Sequence, residues 1–230
     1  MQLNPTAARR VWLFDLDDTL HDAATASMPQ LHESMNAYIR RELGLDAEAA
    51  TALRRRYWHW YGATLLGLVR HHGVKPAHFL HVTHALPGLE SRVRGHAHDL
   101  YRLRRLPGVK VLLTNAPAHY AQRVLRALRI EDCFDAVIPI EHMTLFGHLR
   151  PKPDRRLFRY LPVLMRVAPR RCVLVEDTLE HQKAARAEGW RTVWMQRWMK
   201  AHPGATAAVS RDLHRRPTYV HRRVRSLAAL

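Results

Sequence analysis

Five short apolar segments have the pattern of buried β-strands. They are rich in β-branched and aromatic residues and lack the alternation of polar and apolar positions that a half-exposed strand shows. They read VWLF (11–14), VKVLLT (109–114), AVIPI (136–140), CVLVE (172–176) and RTVWM (191–195). Such runs are typical of a parallel sheet that is covered on both faces.

Helical patterns separate these strands in the second half of the chain. One helix is predicted over 118–130, with a single apolar face formed by Tyr120, Val124, Leu125 and Leu128. Further helices are predicted over 153–167, where Pro162 should kink or end the helix, and over 179–189, which ends at a glycine. The alternation of strand and helix predicts an α/β fold with a doubly wound, mainly parallel, Rossmann-like sheet.

The segment 21–105 interrupts this alternation between the first and second strands. It is helical in pattern and contains the aromatic cluster YWHWYG (57–62). We therefore expect a core formed by residues 1–20 and 106–230, with an inserted helical subdomain at 21–105. The pattern is weaker after residue 200, where one short strand is possible at PTYV (217–220).

Composition limits the kinds of protein that the chain can be. No apolar run is long enough to cross a membrane, and the apolar stretch near the N-terminus is too short for a signal peptide. Cys133 and Cys172 lack the spacing of metal ligands, which favours a reducing, cytoplasmic setting without a disulfide. The formal net charge of +17 favours anionic partners, a small phosphorylated molecule above all and nucleic acid second.

Acidic residues follow two of the predicted strands. VWLF continues into Asp15, Asp17 and Asp18, and CVLV continues into Glu176 and Asp177. Ligands of open α/β sheets bind at the carboxyl ends of the strands, so both groups of acids are expected at one edge. Two carboxylates about 4 Å apart repel by roughly 4 kcal/mol at an effective dielectric near 20, which calls for a cation among them. Oxygen ligands of this kind suit Mg²⁺, and with a metal in place one aspartate can act as a nucleophile while a second transfers a proton.

Two further segments offer groups that stabilise a phosphoryl group during its transfer. The strand VKVLLT ends at Thr114 and is followed by Asn115, which together supply a hydroxyl and backbone N–H groups. The loop HLRPKPD (148–154) supplies Lys152, which is fixed between two prolines. Both would offset negative charge on phosphoryl oxygens.

These motifs together resemble those of the haloacid dehalogenase-like (HAD) superfamily, whose members are mostly phosphohydrolases. The matching segments are DLDDT, LLTN, RPKPD and VEDTLEHQKAARAEGWRTVW, in this order along the chain. The resemblance implies that Asp15 is the nucleophile and Asp17 the general acid/base. It also implies that Mg²⁺ is held by Asp15, the backbone carbonyl of Asp17, and Asp177, and that Thr114 and Lys152 hold the phosphate.

The chain departs from the family pattern at one position. The fourth motif usually carries Asp or Asn four residues after its metal-binding acid, and here that position is His181. We expect Glu176 to provide the missing metal support.

The inserted segment resembles a helical C1 cap. Its sequence YGATLLGLVRHHGVKPAHFL is similar to a region of pyrimidine 5′-nucleotidase-like HAD proteins. This implies a nucleoside monophosphate as substrate, with His21, Tyr61 and Thr64 as candidate pocket residues. Two alternatives remain open: a phosphatase for another small phosphorylated metabolite, and a basic nucleic-acid-binding protein in which the HAD core is idle. A dehalogenase is disfavoured, because that branch does not need the second aspartate of DLDDT.

Overall fold

A six-stranded parallel sheet forms the centre of the protein in a computed structural model that describes residues 10–199 and 215–230. Its strands are β1 (Val11–Phe14), β2 (Val109–Leu113), β3 (Ala136–Ile138), β6 (Cys172–Glu176), β7 (Arg191–Met195) and β8 (Arg222–Val224). The strand order is β3-β2-β1-β6-β7-β8. This arrangement confirms the predicted α/β fold.

Strand β1 contributes side chains to two hydrophobic cores. Trp12 and Phe14 belong to the core on one face of the sheet, and Val11 and Leu13 belong to the core on the other. All four are at most 4% exposed, as expected for a strand covered on both faces.

Helices cover both faces of the sheet. They are α8 (Ala118–Leu128), α9 (Arg155–Leu164) and α10 (Leu179–Ala187). The predicted apolar face of α8 packs into the first core, and α9 and α10 contribute Leu157 and Ala185 to the second. Pro162 lies inside α9, which ends two residues later.

Seven helices connect β1 to β2. They are α1 (Ala23–Ala26), α2 (Met28–Leu43), α3 (Ala47–Tyr61), α4 (Thr64–His72), α5 (Pro76–Thr83), α6 (Leu89–Arg92) and α7 (Ala97–Arg105), called here the inserted helices. A third hydrophobic core lies among α2, α3, α4 and α5 and includes Tyr38, Ile39, Tyr57, Leu68 and Phe79. These helices therefore bury apolar surface of their own.

Three local features differ from the predictions. The segment 136–140 is strand only to Ile138, and Ile140 begins a 3-10 turn. A small hairpin, β4 (Thr144–Leu145) and β5 (His148–Leu149), lies before the Lys152 loop. The C-terminal strand is β8 rather than the predicted 217–220, because the pairing with β7 begins at Arg222.

Two predictions from composition concerned the absence of a disulfide and of a membrane-spanning segment. Cys133 and Cys172 are buried free thiols. Within residues 10–199 and 215–230, each helix is too short or too polar to cross a bilayer.

Candidate active site

The acids that follow β1 and β6 meet at one edge of the sheet. The two strands pair in parallel with Phe14 opposite Val175, so that Asp15 and Glu176 leave the sheet side by side. The amide of Asp15 donates to the carbonyl of Val175 at 3.0 Å. Carboxylate oxygens of Asp15, Glu176 and Asp177 all lie within 4.8 Å of one another. The structure thus brings together three of the predicted metal-site residues.

Lys152 lies between two of these carboxylates and is fully buried. Its Nζ is 2.6 Å from Oδ1 of Asp15 and 2.6 Å from Oε2 of Glu176. The Asn115 side chain holds the Lys152 backbone, since its Nδ2 donates to the Lys152 carbonyl at 2.8 Å and its Oδ1 accepts from the Lys152 amide at 3.0 Å. Asn115, predicted to contact phosphate, therefore positions Lys152 through its side chain.

Thr114 lies one residue beyond β2 and is 1% exposed. Its hydroxyl accepts a hydrogen bond from the amide of Ala116 at 3.0 Å. β2 pairs with β1, with Leu112 opposite Phe14, so Thr114 follows β2 at the same sheet edge as the acids.

The crowded carboxylates have strongly shifted pKa values. Burial, reinforced by the charge of Glu176, raises the pKa of Asp15 to about 8. Burial and the same neighbour raise the pKa of Asp177 well above its usual value. Burial alone would also raise the pKa of Glu176, but the charges of Lys152 and His181 outweigh it and hold that pKa below its ordinary value. Burial therefore favours the protonated forms of Asp15 and Asp177, whereas Lys152 and His181 favour the ionised form of Glu176.

Two of the three acids are suited to hold a divalent cation. The oxygens of Glu176 are already occupied, because Oε2 lies 2.6 Å from Lys152 Nζ and 2.9 Å from His181 Nδ1, and Oε1 accepts from the Thr178 amide at 3.1 Å. Asp15 and Asp177 are the acids whose pKa values are raised, and a cation would replace their protons. This all-oxygen donor set fits Mg²⁺.

The carboxylate of Asp17 is not a member of the three-acid group. Its Oδ1 accepts a hydrogen bond from the Tyr120 hydroxyl at 2.7 Å and lies 2.9 Å from Nε2 of His21. The Tyr120 hydroxyl also lies 2.8 Å from the hydroxyl of Ser27. Asp17 is thus held by Tyr120 of α8 and by His21, which precedes the inserted helices. Its carboxylate stands apart from the group formed by Asp15, Glu176 and Asp177.

The three candidate pocket residues differ in their surroundings. His21 is fully buried behind Asp17, and Thr64 is 6% exposed and donates its hydroxyl to the carbonyl of Arg54 at 3.1 Å. Tyr61 is half-buried at the end of α3, and its hydroxyl lies 2.7 Å from His71 Nε2.

The residue after Tyr61, Gly62, lies so close to the Lys152 loop that a Cβ atom there would be 2.8 Å from Cδ of Pro153. The inserted helices therefore touch the loop that carries Lys152.

Several supporting residues were not predicted from the sequence. Tyr120 holds Asp17 and is itself bonded to Ser27, and Gln182 holds the end of β6 by donating from Nε2 to the carbonyls of Glu176 and Val193, each at 2.7 Å. His181, already singled out by its position in the fourth motif, contacts Glu176, with its Nδ1 2.9 Å from Oε2. A buried tyrosine needs a partner for its hydroxyl, and this was the one available signal for Tyr120.

A family model described as haloacid dehalogenase-like hydrolase matches residues 10–189, which is most of the chain. The chain is also similar to Phosphate metabolism protein 8 of Saccharomyces cerevisiae, with 26% identity over 170 residues that make up 67% of this chain and 51% of that protein. The chain thus spans about half the length of that curated relative.

Solved structures share the fold at low sequence identity. A HAD phosphatase from Thermococcus onnurineus has a TM-score of 0.60 and 19% identity, covering 95% of this chain and 94% of its own. A putative HAD-hydrolase from Bacillus subtilis, described as bound to magnesium, has a TM-score of 0.58 and 17% identity over 96% of each chain. L-2-haloacid dehalogenase from Xanthobacter autotrophicus has a TM-score of 0.56 and 17% identity over 95% of each chain.

Proposed function

This chain belongs to the haloacid dehalogenase-like hydrolase family, and we propose that it is a Mg²⁺-dependent phosphomonoester hydrolase that acts through a phosphorylated Asp15. The observation that carries the proposal is the convergence of Asp15, Glu176 and Asp177 within 4.8 Å, with Lys152 Nζ 2.6 Å from the first two. We propose that Asp15 is the nucleophile, Lys152 a buried cation that favours its ionised form, and Asp177 a metal-binding carboxylate at the same sheet edge.

The proposed reaction has two displacements at phosphorus. In the first, an Asp15 carboxylate oxygen attacks the phosphorus, the ester P–O bond breaks, and Asp17 gives its proton to the leaving alcohol. In the second, Asp17 takes a proton from water, the water oxygen attacks the phosphorus, and the bond to Asp15 breaks to release inorganic phosphate. Tyr120 and His21 hold the Asp17 carboxylate between these two steps.

Positive charge is what the nucleophile needs, because a protonated Asp15 cannot attack. Lys152 favours the ionised form of Asp15, and the pKa of Lys152 is itself raised because Asp15 and Glu176 outweigh the effect of burial. Mg²⁺ bound to Asp15, Asp177 and the backbone carbonyl of Asp17 would supply the remaining charge and offset that of the phosphoryl group. Thr114 is proposed to contribute its hydroxyl to the phosphate.

Phosphate ester cleavage is favoured over dehalogenation by the chemistry of the leaving group. A halide leaves without a proton, whereas an alcohol needs one, and the chain keeps Asp17 in a hydrogen-bonded position from which to supply it. The solved structures include a phosphatase and a dehalogenase with the same fold, so the fold itself is compatible with both reactions.

The finer substrate proposal is a nucleoside monophosphate, with pyrimidine bases preferred. It is supported by the resemblance of 61–80 to the pyrimidine 5′-nucleotidase-like region and by the contact of Gly62 with the Lys152 loop. We propose that the segment 21–105 acts as a cap that shapes the pocket, and that Tyr61 is the pocket residue best placed to meet a base. His21 is proposed to act through Asp17, and Thr64 through its hydrogen bond to Arg54.

A reducing compartment such as the cytoplasm is proposed because both cysteines are buried thiols.

Release of inorganic phosphate from p-nitrophenyl phosphate tests the reaction class. We expect turnover that requires Mg²⁺, is abolished by EDTA, and falls on the order of 10⁴-fold or more in Asp15→Asn. Asp46→Asn is the matched control, because Asp46 is an exposed helix N-cap and asparagine caps equally well. Equal activity in Asp15→Asn, or activity that survives EDTA, would contradict the mechanism.

A substrate screen tests the finer assignment separately. Uridine and cytidine monophosphates should have higher kcat/KM values than adenosine monophosphate and glucose 6-phosphate. A preference for sugar phosphates would replace the nucleotide proposal by the other phosphatase alternative and leave the mechanism standing.

A further inference from the structure

A connected group of exposed rings and guanidinium groups lies on two of the inserted helices. Trp60, at the end of α3, is 60% exposed. The guanidinium of Arg56 lies 5.7 Å from the centre of the Trp60 ring, and that of Arg70 lies 5.8 Å from the centre of the Tyr61 ring. Trp60 and Tyr61 meet edge to face at 6.3 Å, and Tyr61 Oη lies 2.7 Å from His71 Nε2. These five residues are called here the aromatic–arginine patch.

The chain segment that carries this patch is basic. Between Glu48 and Glu90 the sequence contains no aspartate or glutamate, whereas it contains four arginines and one lysine. Arg56, Arg70 and His71 are exposed. Trp60 exposes its ring among the basic residues of this segment, and this combination fits an anionic partner with flat apolar faces.

We propose that the aromatic–arginine patch binds single-stranded nucleic acid, with bases stacked on Trp60 and Tyr61 and phosphates paired with Arg56 and Arg70. Single strands combine a regular negative charge with exposed base faces, and proteins bind them with aromatic platforms in basic grooves. The patch offers two rings and two guanidinium groups on two helices, which suits a chain of several nucleotides. The patch shares Tyr61 with the proposed substrate pocket, but binding of a single strand requires no hydrolase activity.

The binding of a fluorescein-labelled 12-mer of deoxythymidine, followed by fluorescence anisotropy, tests the proposal. The dissociation constant of the full chain should rise with salt. The double variant Arg56→Gln/Arg70→Gln should weaken binding and reduce the slope of log K against log salt by about 1.4, because each phosphate contact to a single strand contributes about 0.7. An unchanged slope would overturn the pairing of these arginines with phosphates.

Two tryptophans of one helix separate stacking from general attraction. Trp60→Ala should weaken binding about tenfold or more, and Trp60→Phe should retain most of it. Trp58→Ala is the matched control, because Trp58 is 62% exposed on the same helix but lies about 200° around it from Trp60. Equal losses for the two alanine variants, or no loss for Trp60→Ala, would overturn the proposal.

Competition with unlabelled nucleic acids identifies the kind of ligand that the patch binds. Unlabelled single-stranded oligonucleotide should displace the probe at much lower nucleotide concentration than thymidine monophosphate or duplex DNA. Equal competition by the mononucleotide would show a single-base site, and equal competition by the duplex would show charge attraction alone, and either result would overturn the proposal. Circular dichroism spectra and Tm values that match the wild type confirm that the variants are folded.

Discussion

Replacing Lys152 by methionine should destabilise the metal-free protein strongly. The ammonium group is fully buried and lies 2.6 Å from both Asp15 and Glu176, whose oxygens lie within 4.8 Å of each other. Glu176 is the ionised partner of this ammonium, because Lys152 and His181 favour its charged form, whereas burial favours the protonated form of Asp15. Removal of one partner from a buried ion pair costs about 3–5 kcal/mol, because the other charge is left buried and unpaired.

The measurement is thermal unfolding in EDTA at pH 7, followed by circular dichroism. For a chain of this length each kcal/mol corresponds to about 2–4 °C, so the Tm of Lys152→Met should fall by about 6–20 °C. Lys183→Met serves as the control, because Lys183 is exposed on α10 and its loss should change stability by no more than about 0.5 kcal/mol.

A second substitution tests the cause of the loss. Adding Glu176→Gln to Lys152→Met removes the unpaired buried charge while Oε1 can still accept from the Thr178 amide, so the double variant should recover at least half of the lost stability. A Lys152→Met variant within about 1 kcal/mol of the wild type, or a double variant less stable than the single one, would refute the electrostatic reasoning.

Three further predictions follow from the same site. Metal-free protein should lose stability relative to Asp15→Asn as the pH rises from about 4 to about 8, because the folded protein retains a proton on Asp15, whose pKa is raised from 3.8 to about 8, after the unfolded chain has released its own; the difference in Tm between the two proteins in EDTA checks it, and a wild-type advantage that grows with pH contradicts it. Tyr120→Phe should lower kcat about tenfold or more for alkyl phosphates, but less for p-nitrophenyl phosphate, whose leaving group needs little protonation; equal losses for both substrates would mean that the hydroxyl does not act through the general acid. Gly62→Ala should lower kcat/KM more than Gly73→Ala, because both glycines have positive φ (74° and 65°) but only the first would place a Cβ against Pro153; equal activities would contradict the coupling of this turn to the Lys152 loop.

The sequence predicted the sheet and its acidic edge well because both are local signals. A strand buried on both faces has to be apolar at every position, as β1 shows, and the carboxylates follow it directly in the chain. The neighbouring position of Asp15 and Glu176 then required only that β1 and β6 be parallel neighbours. Lys152 was found because two prolines mark its loop.

The supporting contacts could not be predicted from the sequence because they join distant segments. Tyr120 and Asp17 are 103 residues apart, and the side chain of Asn115 meets the backbone of Lys152 across 37 positions. The strand β8 was placed too early, because its sequence is RRV and its charged residues hide the strand pattern. The contact of Glu176 with Lys152 likewise depends on three-dimensional proximity.

Calorimetric titration of metal-free protein with Mg²⁺ at pH 8 tests the central claim most directly. The account predicts one Mg²⁺ per chain in the wild type and in Asp46→Asn, and at least tenfold weaker binding in Asp177→Asn, since that variant loses one of two proposed carboxylate ligands. Undetectable binding in the wild type, or equal affinity in Asp177→Asn, would contradict the claim that acids from two strands hold one metal ion.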